Sequence, residues 1–362
     1  MIMTNRLDRG YERYKEEFEE AALRTLRSGW YIMGNELDSF EKAFAEYTGA
    51  KYCLGVANGL DALTLAVRAL GIGEGDEVLV QGNTFIASVM GITINGARPV
   101  FVEPNEYHQL DETLLEQALT ERTKAVMVVH LYGQTAEMDS IVGFCRKHNL
   151  RLIEDCAQSH GACYKGRMTG TFGDIGCFSF YPSKNLGCFG DGGAVITSNE
   201  ECYNRIRTLR NYGSSKRYQF DEVGINSRLD ELQAALLKVR LSHMDELTKE
   251  RIRIADRYLS EIHNDRISLP KKREACDYVY HQFVIRCETR DELIKYLEDN
   301  GVGTIIHYPI PPHLAKAYEY LGYKKGDYPV TEMLAGQVLS IPMYTGLTEE
   351  EQTQVIKVIN DY

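Results

Sequence analysis

The sequence predicts an α/β protein: a large part built on a mostly parallel sheet with helices on both faces, then a smaller α+β part. Three observations carry this. The chain has 362 residues, too many for one small core, so a large and a small domain are expected. From Lys51 to Thr197 short apolar runs alternate with helical ones, the pattern of strands joined by crossover helices. A long helical run from Glu231 to about Ile262 then leads into a second, shorter alternation. The division expected is residues 1–240 and 241–362.

In chain order, Tyr11 to Arg27 puts Tyr14, Phe18, Ala21, Ala22 and Leu26 roughly on one helical face, and Gly29 to Gly34 breaks it. A second helix, Glu36 to Thr48, spaces Leu37, Phe40 and Phe44 helically. Lys51 to Val56 is a short strand running into Ala57-Asn58-Gly59-Leu60-Asp61-Ala62-Leu63. The helix opened there carries Leu60, Leu63, Val67 and Leu70 on one face and stops at Gly71. A strand, a small-residue turn and a helix start form a ready anion site, because the first backbone N–H groups are free and the dipole end is positive. An ordinary turn capped by Asn58 is the alternative, and alone it weighs more.

Glu77 to Val80 is a buried strand by composition, Thr84 to Ser88 begins a helix, and Pro99 to Val102 is a strand. Ala125 to His130 is a continuous apolar strand, Ile141 to His148 a helix, and Arg151 to Asp155 a strand ending on two acids. Ligands on such sheets sit outside the carboxyl ends of the strands. Asn58, Phe85, His130 and Asp155 all fall near strand ends, so convergence on one site is expected. An acid such as Asp155 is often a cap or ion-pair partner; its sharper reading is a buried carboxylate facing a cationic ring nitrogen.

Lys184 lies among turn formers in Ser179-Phe180-Tyr181-Pro182-Ser183-Lys184-Asn185-Leu186-Gly187, followed by Gly190-Asp191-Gly192-Gly193. Its surroundings are small, aromatic and Gly-rich rather than charged. A tight, partly desolvated place favours the amine form of lysine, and such an amine forms a Schiff base with a carbonyl compound. On this segment alone a plain loop lysine is the weightier reading. Cys202 to Tyr212 is a basic helix ending in Asn211 to Tyr218, a basic and aromatic loop that reads equally as solvated or as a diphosphate clamp. Tyr278 to Arg286 is a strand, Arg290 to Asn300 a helix, Gly303 to His307 a strand, Tyr308 to His313 an irregular loop, and Glu349 to Ile359 the last helix.

Composition excludes several classes. Net charge is −11, against a broad nucleic-acid face. Nine scattered cysteines without a CxxC pair suggest reduced thiols in a cytoplasm and speak against zinc. Met1 to Arg27 lacks the apolar core of a signal peptide, and no run is suited to crossing a membrane. A cytoplasmic protein is expected.

Five motifs in one order, Asn58 to Leu63, Thr84-Phe85, Glu154 to Gln158, Ser179 to Lys184 and Asn226 to Asp230, resemble the nucleotide-sugar aminotransferases of the DegT type. The resemblance covers nearly the whole chain. It implies the aspartate-aminotransferase fold (fold type I) with pyridoxal 5′-phosphate as cofactor. Val129 to Gln134 and Gly303 to His313 look like the members that aminate the 3-keto group of dTDP-linked 6-deoxyhexoses. The resemblance further implies that Lys184 holds the cofactor covalently and that Asp155 pairs with its ring nitrogen. Gln158 would lie near the ring hydroxyl and Phe85 would stack on the ring. Ser179 and the amides of Gly59 and Leu60 would hold the phosphate, joined by Asn226 from a partner subunit, hence a homodimer. Many relatives carry Thr or Ser where Leu60 stands, so a hydroxyl contact is absent here. The implied substrate-binding set is Tyr181, Lys216, Tyr218, His307, Tyr308 and His160, with His307 and Tyr308 in the partner's site. For His160 a satisfied core histidine is the default and a sugar contact the sharper idea; His130 has no recognisable partner. Glutamate is the implied donor, and an amino sugar for a surface glycan or a glycosylated small molecule the implied product. A 4-keto-sugar aminotransferase and a non-catalytic cofactor-binding protein are the alternatives. A deoxygenating relative would carry histidine in place of Lys184.

Overall fold

A computed structural model describes residues 1–362. Its centre is a seven-stranded sheet: β1 (Tyr52–Val56), β2 (Glu77–Gln81), β3 (Arg98–Val102), β4 (Thr123–Val129), β5 (Arg151–Asp155), β6 (Ile175–Ser179) and β7 (Gly193–Thr197). The spatial order is β1-β7-β6-β5-β4-β2-β3. All pairings are parallel except those of β7, which runs antiparallel to both β1 and β6. The inner strands are buried on both faces, which explains their continuous Val, Ile and Leu runs.

Register positions the site. Val129 of β4 lies beside Asp155 of β5, and Asp155 beside Cys177 of β6. The carboxyl ends of three parallel strands are therefore level, and the residues leaving them share one rim. Glu154, next to Asp155, is fully buried and locks this end. Its Oε1 accepts from the amides of Phe172 (2.7 Å) and Gly173 (2.8 Å), and its Oε2 from that of Gly170 (2.7 Å). His130 does have a partner. The Ala136 amide donates to Nδ1, so Nε2 carries the proton and donates to Glu154 at 3.1 Å.

Several expectations need correction. The first helix is two, Leu7–Arg13 and Lys15–Ser28, broken at Tyr14. Its buried face is Phe18, Ala21 and Thr25, with Leu26 exposed. The long helix is also two, Glu231–Ser242 and Met244–Glu261, broken at His243. The two breaks face each other: the Tyr14 ring stacks on the His243 imidazole at 3.9 Å. The strand read over Tyr278 to Arg286 is confined to Phe283–Arg286, paired with Val338–Ile341. Tyr280 has φ +46° and breaks the pleat. The residues before it bond instead to the loop after β4, with Val279 N donating to Gly133 O at 2.9 Å. Gly303 to His307 is no strand; only Ile305 pairs, with Ser340.

Candidate active site

A cavity of about 460 Å³ opens beyond the level strand ends. Val129, Asp155 and Cys177 form its floor, and Asn58, Gly59, Leu60, Phe85, Gln158, Ser179, Tyr181, Lys184, His307 and Tyr308 also face it.

One wall is the start of the helix Gly59–Ala69. Asn58 caps it in an extended conformation, its Oδ1 accepting from Asp61 N at 2.8 Å. That cap leaves the Gly59 and Leu60 amides free at the positive dipole end. Gly59 is there for space: a Cβ would meet the Ser179 Cβ at 2.6 Å. The closeness puts the Ser179 hydroxyl beside the free amides, a pocket shaped for a phosphate. Gly59→Ala is expected to weaken cofactor affinity at least tenfold and to cost about 1–3 kcal/mol of stability through overpacking. Cofactor titration and denaturant midpoints would check both, and unchanged affinity would remove the phosphate from this corner.

Asp155 is 5% exposed. Its Oδ2 accepts from Ser88 Oγ at 2.7 Å and its Oδ1 from Ala157 N at 3.1 Å. Burial pushes its carboxyl above the usual carboxylate range, opposed by Ser88, the Ala157 amide and Lys184. Lys184 is half-buried in the turn after β6, its backbone N donating to Tyr181 O at 2.8 Å. Burial lowers its ammonium pKa from 10.5 to about 8, with Asp155 pulling the other way. The amine fraction at neutral pH is thus far above that of a surface lysine. Capture of pyridoxal phosphate by cofactor-free protein should rise with pH and level off above about 8. A capture rate still climbing toward pH 10.5 would show an ordinary lysine.

The other expected residues divide. Gln158 reaches the cavity but is already engaged: its Oε1 accepts from Tyr132 N at 2.6 Å and its Nε2 donates to Tyr308 Oη at 3.0 Å. Phe85 stands at the mouth, half exposed, its ring 5.0 Å from that of Tyr308. His307 and Tyr308 line the cavity of their own chain. The Tyr132 hydroxyl donates to His307 O and anchors their loop. His307 Nδ1 is 2.7 Å from Ser340 Oγ, and burial with Lys184 nearby lowers its pKa to about 4.

Three groups of residues do not reach this cavity. His160 does not line the cavity, and it is not a satisfied core histidine. It is buried between Phe178 and Phe180, with both ring nitrogens unpartnered, and burial lowers its pKa to about 3. Its packing partners hold it in the aromatic core behind β6. Lys216 and Tyr218 ride on an exposed hairpin, Ser214–Lys216 with Gln219–Phe220. Asn226 faces a separate open groove with Ile32, Asp191 and Arg228.

Ser88, Asn185, His281 and Gln282 were not anticipated. His281 lines the cavity from the C-terminal part, with Nδ1 3.2 Å from Asn185 Oδ1. Asn185 Nδ2 donates to Val279 O at 3.3 Å, so its amide oxygen is the free acceptor and His281 carries its proton on Nδ1. Gly133, at φ +97°, admits this segment: a Cβ there would meet His281 N at 2.8 Å. The one sequence signal was a polar pair, His281-Gln282, inside an aromatic and apolar run.

A model of the DegT/DnrJ/EryC1/StrS aminotransferase family matches residues 12–360. The chain is similar to dTDP-3-amino-3,6-dideoxy-α-D-galactopyranose transaminase of Aneurinibacillus thermoaerophilus, 49% identical over 97% of this chain and 96% of that one. It is 46% identical to dTDP-3-amino-3,4,6-trideoxy-α-D-glucose transaminase of Streptomyces venezuelae, over 98% and 94% respectively. Among solved structures, S. venezuelae DesV in complex with a ketimine intermediate superposes with a TM-score of 0.97 at 45% identity, over 99% of this chain and 98% of that one.

Proposed function

Since this chain belongs to the DegT/DnrJ/EryC1/StrS aminotransferase family, we propose that it moves an amino group from glutamate to the 3-keto position of a dTDP-linked 6-deoxyhexose. It is a transaminase that uses pyridoxal 5′-phosphate. The observation carrying the finer reading is that both named relatives, matched nearly end to end, are transaminases of dTDP-3-amino sugars.

The residues fit the cofactor. A phosphate-sized corner without a Cβ, an amine of lowered basicity and a buried carboxylate face one cavity. When bound, the cofactor supplies a ring that accepts electron density from the carbon bearing the amino group. Lys184 would hold it through Nζ and, once displaced by substrate, would carry a proton to and from that carbon. Asp155 would keep a proton on the ring nitrogen, held by Ser88 and the Ala157 amide. The Gly59 and Leu60 amides with Ser179 would bind the phosphate, and Phe85 would cover the ring. Gln158 would act near the ring hydroxyl. Tyr181, His307 and Tyr308 would meet the sugar.

A homodimer completes this reading. Asp191 lines both the cavity and the groove holding Asn226, and Trp30 and Tyr31 are exposed next to Ile32 of that groove. A large exposed apolar patch marks an interaction surface, so a second copy would bring Asn226, Lys216 and Tyr218 to the opposite cavity. The division at residues 240 and 241, cytoplasmic residence and a glycan destination belong to the same proposal.

The test is a reaction panel. Protein, cofactor and glutamate are mixed separately with 3-keto and 4-keto dTDP-6-deoxyhexoses, and products are read by mass and NMR. A 3-amino sugar alone is expected. A 4-amino sugar would overturn the ring position and keep the chemistry.

A further inference from the structure

A second cavity, of about 400 Å³, is lined by His108, whose ring packs on Tyr132. It is nearly as large as the active one and within the range of small-molecule sites. It forms where the loop after β3 meets the segment leading into the strand Phe283–Arg286.

Its charges are unevenly used. Lys271 pairs with Glu106 at 2.5 Å. Arg273, next to Tyr107, pairs with Glu112 at 2.7 Å. Arg286 is half-buried, lines the cavity and has no acidic partner or side-chain hydrogen bond. One unspent guanidinium calls for one negative charge. Its planar fork matches a carboxylate, which it binds through two parallel N–H···O bonds. A phosphate dianion would leave a surplus charge facing Glu106. The remaining lining is mixed. The Ser268, Tyr107 and Tyr278 hydroxyls face the cavity without a partner, while Leu269, Pro270 and Val284 supply an apolar wall. The buried His108 ring closes the inner end.

That inner end touches the catalytic side. The His108 ring meets the Tyr132 ring edge-on at 5.7 Å. Tyr132 in turn donates its amide to Gln158 and its hydroxyl to the His307 carbonyl. Both recipients line the active cavity. Tyr132 thus joins a lining residue of one cavity to two lining residues of the other, a continuous physical route for coupling.

We propose that this cavity is a second, non-catalytic site for a small carboxylate with an apolar or aromatic body, and that its occupant acts on the active cavity through Tyr132. The proposal is independent of which sugar is aminated.

The probe is benzoate, titrated into the cofactor-loaded protein at fixed ionic strength, with inorganic phosphate as the comparison anion. Hydrogen exchange is read over 105–109 and 268–286, together with the visible absorption of the bound cofactor. Benzoate should protect both segments and shift the absorption band. Arg286→Gln should weaken the protection by about ten- to a hundredfold, the worth of a charge-assisted hydrogen bond, and abolish the shift. Ser268→Met, which fills the cavity without touching the guanidinium, should also block binding. Equal binding to wild type and to both variants would overturn the site. Phosphate protecting as well as benzoate would overturn the carboxylate assignment. Protection without an absorption shift, or a shift that persists in Arg286→Gln, would overturn the coupling.

Discussion

Replacing Lys184 with alanine is expected to lower transamination by about four orders of magnitude or more, because one side chain serves two steps. It anchors the cofactor and then moves the proton at the reacting carbon, a task that alone contributes about 10²–10⁴-fold. The structure supports both uses: its amine is lowered to about 8, and it shares one cavity with Asp155 and the Gly59–Ser179 corner. The same variant carries a stability signature. The folded pKa of Lys184 lies below the ordinary lysine value of 10.5. Between about pH 8 and 10.5 the unfolded chain therefore binds more protons than the folded one, and stability of the cofactor-free protein rises with pH across that window. Lys184→Ala should flatten this rise and be at least as stable as wild type at pH 7. Turnover above a trace, in a variant shown free of wild type, would end the assigned role.

The second large effect is expected at Asp155. Asp155→Asn should reduce turnover by about three orders of magnitude, since an amide no longer holds a proton on a ring nitrogen and the ring loses its pull on electrons. Burial raises the folded pKa of this carboxyl above its ordinary value of 3.8. Above 3.8 the folded state therefore binds more protons than the unfolded one, so stability falls as pH rises through that window and the ionised group weakens the fold above it. The asparagine oxygen still accepts from the Ala157 amide and its NH2 group donates to the Ser88 hydroxyl, which turns to accept, so Asp155→Asn should unfold close to the wild-type temperature. Asp155→Ala instead strands the Ala157 amide, at about 1–3 kcal/mol, and leaves the Ser88 hydroxyl only Thr84 Oγ1. Near-normal activity in the asparagine variant, measured with both substrates, would refute the ring-nitrogen role. Loss of activity together with stability would make Asp155 a structural residue. A catalytic group that costs stability is a common compromise at active sites.

What could be read early follows from how far each signal reaches along the chain. Strand and helix alternation in the large sheet, the capped turn at Asn58 and the small-residue setting of Lys184 are local, and the structure shows these where periodicity and turn chemistry put them. The helix breaks at Tyr14 and His243 were not local. Each looks helical alone, and the stacking of these two distant residues on each other marks both interruptions. The same limit explains His160: two residues from Gln158 in sequence, it points into a different compartment, because side-chain direction depends on the packed aromatics behind it.

By itself the sequence determined the α/β class, the lysine in its turn and the acid at a strand end, since backbone periodicity and turn-forming residues act over a few positions. Only the tertiary structure decided that Val129, Asp155 and Cys177 lie level, that His281 arrives beside Asn185 from 96 residues away, and that Tyr132 joins lining residues of two cavities. Strand register and the meeting of the two parts of the chain are set by long-range burial and pairing, and no short window of residues contains that information.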